Sequence, residues 1–167
     1  MEATRILKVG TEPFQLSLRI RHPTLDPAEV TREFGMEPQH CFRAGDPRPS
    51  RTNLAPPTTY SESYWLGALD PGEWPTPLAF PEDPRLDMAR ERLGVVATSS
   101  LGWALSLSTR FFGAHAEMLR RIRAEGGQVS LLATVPVGEV AGFSLAPEVS
   151  RVFGDLGIAI EFEFSTD

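Results

Sequence analysis

Glu29-Val30-Thr31-Arg32-Glu33-Phe34-Gly35 returns near the other end of the chain as Glu148-Val149-Ser150-Arg151-Val152-Phe153-Gly154, with Glu, Val, a small hydroxyl, Arg, Phe and Gly in the same order. Each copy has a proline near its start and a strand-like stretch after its glycine. Val and Phe four residues apart share one helical face, so each copy offers a buried pair to a sheet, while Glu and Arg three apart can meet at the surface. A repeat of this kind reports one supersecondary unit used twice, although any short amphipathic helix capped by glycine looks similar. The reading that follows is two related β-α-β halves.

Around the first copy, Phe14–Arg21 alternates Phe14, Leu16, Leu18 and Ile20 with Gln15, Ser17, Arg19 and Arg21, the period of a half-buried strand. Asp26 before Pro27 is an N-cap with proline at the first helical position, predicting a helix over 27–34 that Gly35 stops. Gln39–Ala44 reads as a second strand, followed by a mobile loop to Thr59. Thr59–Leu69, rich in aromatic and β-branched residues, is a third. Around the second copy, Ala114–Glu125 predicts a helix burying Ala114, Met118, Leu119 and Ile122, and Val129–Val135 a strand. A short strand at Ala141–Ser144, a helix over 147–156 stopped by Gly157 and a strand at Ile158–Phe164 complete this half. Between the halves, Asp83-Pro84 opens a helix ending near Gly94, and Gly102–Arg110 alternates Trp103, Leu105 and Leu107 with small residues, as a strand would.

With 167 residues, 41% of them hydrophobic, the chain can bury a core as one domain. The expected layout is a single domain over 1–167, with halves at about 12–70 and 112–167 and an irregular insertion at about 70–111. A net charge of −6 repels phosphate backbones, so nucleic acid is not an expected partner. No apolar run of about 18 residues or secretory leader is recognisable, so neither a membrane nor export is expected, and the location is read as cytoplasmic. A single cysteine, Cys41, rules out an intrachain disulfide.

Gly142-Phe143-Ser144-Leu145-Ala146-Pro147-Glu148, continuing to Leu156-Gly157-Ile158-Ala159-Ile160-Glu161-Phe162, resembles the C-terminal signature of the bacterial domain of unknown function 4279 family. The N-terminal part is similar too, in Phe14–Ile20, Asp26-Pro27, Gly45 and the Tyr64-Trp65 strand. The resemblance implies a small α+β protein with no established activity and no catalytic residues to carry over.

The constellations that could carry chemistry are few. His40 and Cys41 are adjacent on a strand and point to opposite faces, which argues against a thiolate and its base; a buried structural cysteine is the simpler reading. His22, His40 and His115 lie in three elements without metal-ligand spacing. Phosphate-loop, dinucleotide and nucleophile-elbow motifs do not occur. Glu161 and Glu163 share one strand face and Arg19 and Arg21 another, so cross-strand ion pairs follow if the two strands are neighbours. Tyr60, Tyr64, Trp65, Trp74 and Trp103 gather around the irregular segments, as aromatics at binding surfaces do.

The expected fold is α+β, a mostly antiparallel sheet with helices on one face in a ferredoxin-like arrangement. Its open face would present Arg19, Arg21, Glu161 and Glu163, which with Glu62, Trp65 and Trp74 form the candidate ligand or partner surface. No catalytic residue, metal ligand or cofactor is assigned. The expected role is a non-enzymatic interaction or binding module, of the inhibitor or immunity type, meeting another protein or a second copy of itself. The alternative is a small-molecule-binding or enzymatic domain with an Arg/Glu-lined pocket between the sheet and the loops.

Overall fold

A computed structural model of the chain describes residues 14–49, 58–69, 100–136 and 145–165. The expected helix over 84–94, the strand at Ala141–Ser144 and Trp74 lie outside these residues.

The first half folds as its pattern predicts. Strand β1 is Gln15–His22, and its alternate residues Leu16, Leu18, Ile20 and His22 are buried. Helix α1, Pro27–Phe34, begins where the Asp26 carboxylate accepts the Ala28 N–H at 3.0 Å and ends at Gly35, whose φ of 63° is the left-handed cap that glycine adopts without strain. Strands β2 (His40–Phe42), β3 (Pro47–Arg48), β4 (Thr58–Thr59) and β5 (Ser63–Leu69) follow; β3 and β4 pair as a small ribbon.

Helix α2, Ser100–Ala114, replaces the strand expected at Gly102–Arg110. Its buried residues Leu101, Ala104, Leu105, Ser108 and Phe112 fall at helical spacing, and the two-residue alternation of leucines with small residues coincides with that stripe only locally. Serine and threonine are tolerated there because Ser106, Ser108 and Thr109 donate their hydroxyls to the carbonyls of Gly102, Leu105 and Ser106, which satisfies even the fully buried Ser108. Helix α3, Ala116–Ala124, starts after His115, which occupies the N-cap position rather than the first turn, and buries Met118, Leu119 and Ile122.

Strand β6 is Gln128–Pro136, helix α4 Pro147–Leu156 and strand β7 Ile158–Ser165. The second heptapeptide departs from the first where it ends. Gly154 lies inside α4, and the left-handed cap is Gly157 at φ 68°. Both Val/Phe pairs are nevertheless buried: Val30 and Phe34 in α1, Val149 and Phe153 in α4.

The sheet runs β2-β5-β1-β6-β7, antiparallel throughout except for β6 and β7. The protein is thus α+β with a mostly antiparallel sheet. The two halves differ in connection: β6-α4-β7 is a contiguous parallel β-α-β unit, whereas β5 lies between β1 and β2, splitting the unit built on α1. In the central register Ile20 lies between Trp65 and Val129, Leu18 between Gly67 and Leu131, and Leu16 between Leu69 and Ala133. This row joins the buried residues of the helices in one core, where Phe112 of α2 meets Phe153 of α4 edge to face at 5.8 Å. Each such large apolar side chain removed from water stabilises the fold by roughly 1.5–3 kcal/mol.

Two further expectations are corrected by the packing. Glu29 binds Arg121 of α3 rather than Arg32 on its own helix. Cys41 is exposed on the edge strand β2 rather than buried in the core.

Candidate functional site: the open sheet face

Opposite the helices, the sheet presents the other phase of each strand. Reading across it, Phe42, Tyr64, Arg21 and Gln128 form one row, and His40, Leu66, Arg19, Ser130 and Ala159 the next. Leu132 neighbours Glu161, and Gln15 is followed by Thr134 and Glu163.

Arg19, Arg21, Glu161 and Glu163 therefore share this face, but β1 and β7 are not neighbours, since β6 runs between them. Arg19 nonetheless reaches over β6 and binds the Glu161 carboxylate. The long guanidinium stem spans two strand spacings, and the intervening Ser130 is small. The Ser130 hydroxyl donates to Glu161 as well, and this bond first, then Arg19, holds the Glu161 carboxyl below its ordinary range. Glu161 is therefore a fixed anion. Arg21 and Glu163 are exposed.

Trp65 does not belong to this surface. The inward phase of β5 is Ser63, Trp65, Gly67 and Leu69, and the indole is only 1% exposed. Its N–H donates to Thr31 Oγ1 at 3.1 Å, and its ring stands 6.1 Å from Phe34, tying α1 to the sheet.

The β2 side of the face holds a group of aromatic residues that the sequence reading only partly anticipated. Phe42 stacks against Tyr60 at 3.7 Å on one side and Tyr64 at 5.2 Å on the other, with ring planes within 14° and 12° of parallel. His40 stands edgewise to Phe42 at 5.6 Å and tilted to Tyr64 at 5.8 Å. Arg48, on the β3–β4 ribbon, lies 5.9 Å above Tyr60 as a cation–π contact. The ribbon is positioned by its base, where the Gly45 N–H donates to the Tyr60 carbonyl and the Tyr60 N–H to the Asp46 carbonyl. Beside the stack lies an open hollow of about 520 Å³ lined by His40, Phe42, Arg48, Pro49, Thr59, Tyr60, Ser61 and Glu62. Glu62 is thus brought to an arginine and to aromatic rings. The alternation of His40 and Phe42 about Cys41, facing Tyr64 and Leu66, is the signal that could have located this cluster.

A second, far smaller cavity of about 10 Å³ beneath the sheet touches Ile20, His22 and Trp65 and has room for no more than one water. Among the described residues no three His, Cys, Asp or Glu side chains converge as a metal site would require, and no helix is long and apolar enough to cross a membrane.

The aromatic stack, the ribbon and the hollow all lie within residues 12–78, the span that matches the family model described as a domain of unknown function, DUF4279. That match covers well under half of the chain. The DUF4279 match contains β1, α1 and β2 to β5, and hence Arg19, Arg21 and Glu62; it does not reach the stretch from Gly142 to Phe162 that carries the C-terminal resemblance. No curated protein and no solved structure matches the chain.

Proposed function

We propose that this chain is a non-enzymatic binding module that takes a basic protein partner on the open face of its sheet, anchored at the hollow beside the DUF4279 aromatic stack. The hollow carries the reading: it sets rigid, pre-stacked aromatic side chains next to an exposed, mixed polar surface, the composition that anchors protein contacts. The net charge of −6 favours a basic partner by long-range attraction, as in inhibitor and immunity proteins. Glu161 supports a binding rather than a catalytic role, because a carboxyl held ionised by a serine and an arginine is a poor proton donor and a weak base.

The test is a displayed peptide library panned on the full chain, then rebound to a Tyr60→Ser, Glu62→Lys double variant. Enriched peptides are expected to be rich in Lys and Arg and to lose most of their binding to the variant. Enrichment of acidic peptides, or binding untouched by the double substitution, contradicts the reading.

One observation favours a second reading. The hollow has the volume of a small-molecule site and holds both Arg48 and Glu62, which suits a compact polar ligand. A metabolite that raises the melting temperature of the wild-type chain but not of the double variant, with no peptide enriched, would favour it.

A further inference from the structure

Strand β7 is the edge of the sheet opposite β2, and among the described residues no strand pairs with its outer side. It runs for eight residues without proline, lysine or arginine, the residues that commonly blunt such edges, and Phe164 near its end is 68% exposed. Its sequence, Ile158-Ala159-Ile160-Glu161-Phe162-Glu163-Phe164, has a property the rest of the sheet does not use. Turned end for end about Glu161, it sets Ile158 against Phe164, Ile160 against Phe162 and Ala159 against Glu163. From this self-matching pattern we infer that β7 pairs antiparallel with β7 of a second copy, about a two-fold axis through Glu161 normal to the sheet, joining two five-stranded sheets into one.

The register follows from charge and reach. Placing the axis at Phe162 sets Glu161 opposite Glu163 twice over, two like-charge contacts. Placing it at Ile160 carries Phe164 past the start of the partner strand. Any register with the axis between residues sets inward against outward side chains, turning the helices of the two copies to opposite faces. The axis at Glu161 leaves one like-charge pair, and each of those carboxylates already has its charge compensated by Arg19 within its own subunit. The apolar partners are then aromatic against β-branched, a favourable cross-strand combination, and they cover the exposed Phe164. Such an interface is isologous, so it closes as a dimer and does not grow into fibres. It leaves the β2 side of the face, and therefore the proposed binding surface, free.

The experiment is disulfide trapping in a Cys41→Ser background, read beside the sedimentation of the unmodified full chain. The chain is expected to sediment at twice its monomer mass. Glu161→Cys is expected to crosslink readily on mild oxidation, because residues facing across the axis stand about 4.5–5.5 Å apart at Cβ. Glu163→Cys is expected not to crosslink, since its two copies would lie about 13 Å apart along the strands. Phe164→Lys, at an exposed position that folding does not depend on, is expected to weaken the dimer about tenfold or more. A monomer at the highest soluble concentration overturns the inference, as does equal crosslinking at 161 and 163. A monomer whose β7 amides become protected only on adding a basic peptide overturns it in favour of a different occupant.

Discussion

Gly67→Ala adds one methyl group at a point where the sheet has no space for it. Gly67 shares the inward side of β5 with Trp65, and a Cβ built there lies 2.3 Å from Trp65 Cη2, 2.8 Å from Cζ3 and 2.9 Å from Cζ2. The indole lies across the glycine and is buried, so it must be displaced into packed neighbours. Overpacking of this kind costs about 1–3 kcal/mol, and losing the Trp65–Thr31 hydrogen bond adds about 1 kcal/mol. The preference of a strand for Ala over Gly offsets about 0.5–1 kcal/mol. The net expectation is a loss of about 1–3 kcal/mol, read by urea unfolding followed by far-UV circular dichroism, with a melting temperature lower by about 2–4 °C per kcal/mol. Gly154→Ala in α4 is the control: nothing lies within 4 Å of its Cβ, so relief of backbone entropy should stabilise the chain by about 0.4–1 kcal/mol. If Gly67→Ala unfolds at the wild-type urea concentration, the indole does not rest on residue 67 and the packing of α1 described above is wrong.

Three other outcomes are expected. Because the Glu161 carboxyl is held below its ordinary range, its ion pair contributes stability that is fully present above the unfolded-state carboxylate pKa and is lost as pH falls through the lower folded value; Glu161→Gln should therefore cost up to about 1 kcal/mol near pH 7, and its deficit against wild type should vanish in strong acid unfolding. His22 is buried, and its Nδ1 accepts the N–H groups of Thr24 and Leu25 at 3.0 and 2.8 Å, which leaves the proton on Nε2, 3.3 Å from a Glu125 oxygen. Nitrogen NMR should report that tautomer, and His22→Ala should lose about 1–3 kcal/mol by orphaning the turn that precedes α1. Asp26→Ala removes the α1 N-cap and the partner of Arg43, and should lower stability by about 1 kcal/mol in thermal unfolding at neutral pH.

Elements with strong local signals were legible before any coordinates. In α1, a cap, a helix-starting proline and a left-handed glycine coincide with a single apolar pair; in β1 and β7 the two-residue period is unbroken. Residues 102–110 misled because leucines spaced by small residues fit both periods over a short window, and only the longer stripe from Leu101 to Phe112 resolves them. Strand order was a different problem. Nothing local in β1 or β7 states that β6 lies between them, so the Arg19–Glu161 pair was expected for a geometry that does not occur and forms over an intervening serine instead. For Trp65 the difficulty was phase. Tyr64 and Trp65 are both aromatic, and what decides which faces inward is Gly67, the residue that makes room for an indole. The hollow was beyond reach because its walls come from β2, the ribbon and the turn before β5, brought together by the ring stack.

The claim on which the functional account rests is that partners meet the open sheet face at its β2 side. Amide chemical-shift mapping, with a basic peptide from the panning titrated into the isotope-labelled full chain, tests it most directly. The account predicts that the largest shifts fall on His40, Phe42, Tyr60, Glu62 and Arg21. Shifts concentrated on α1, α3 and α4, with those five residues unmoved, would contradict it.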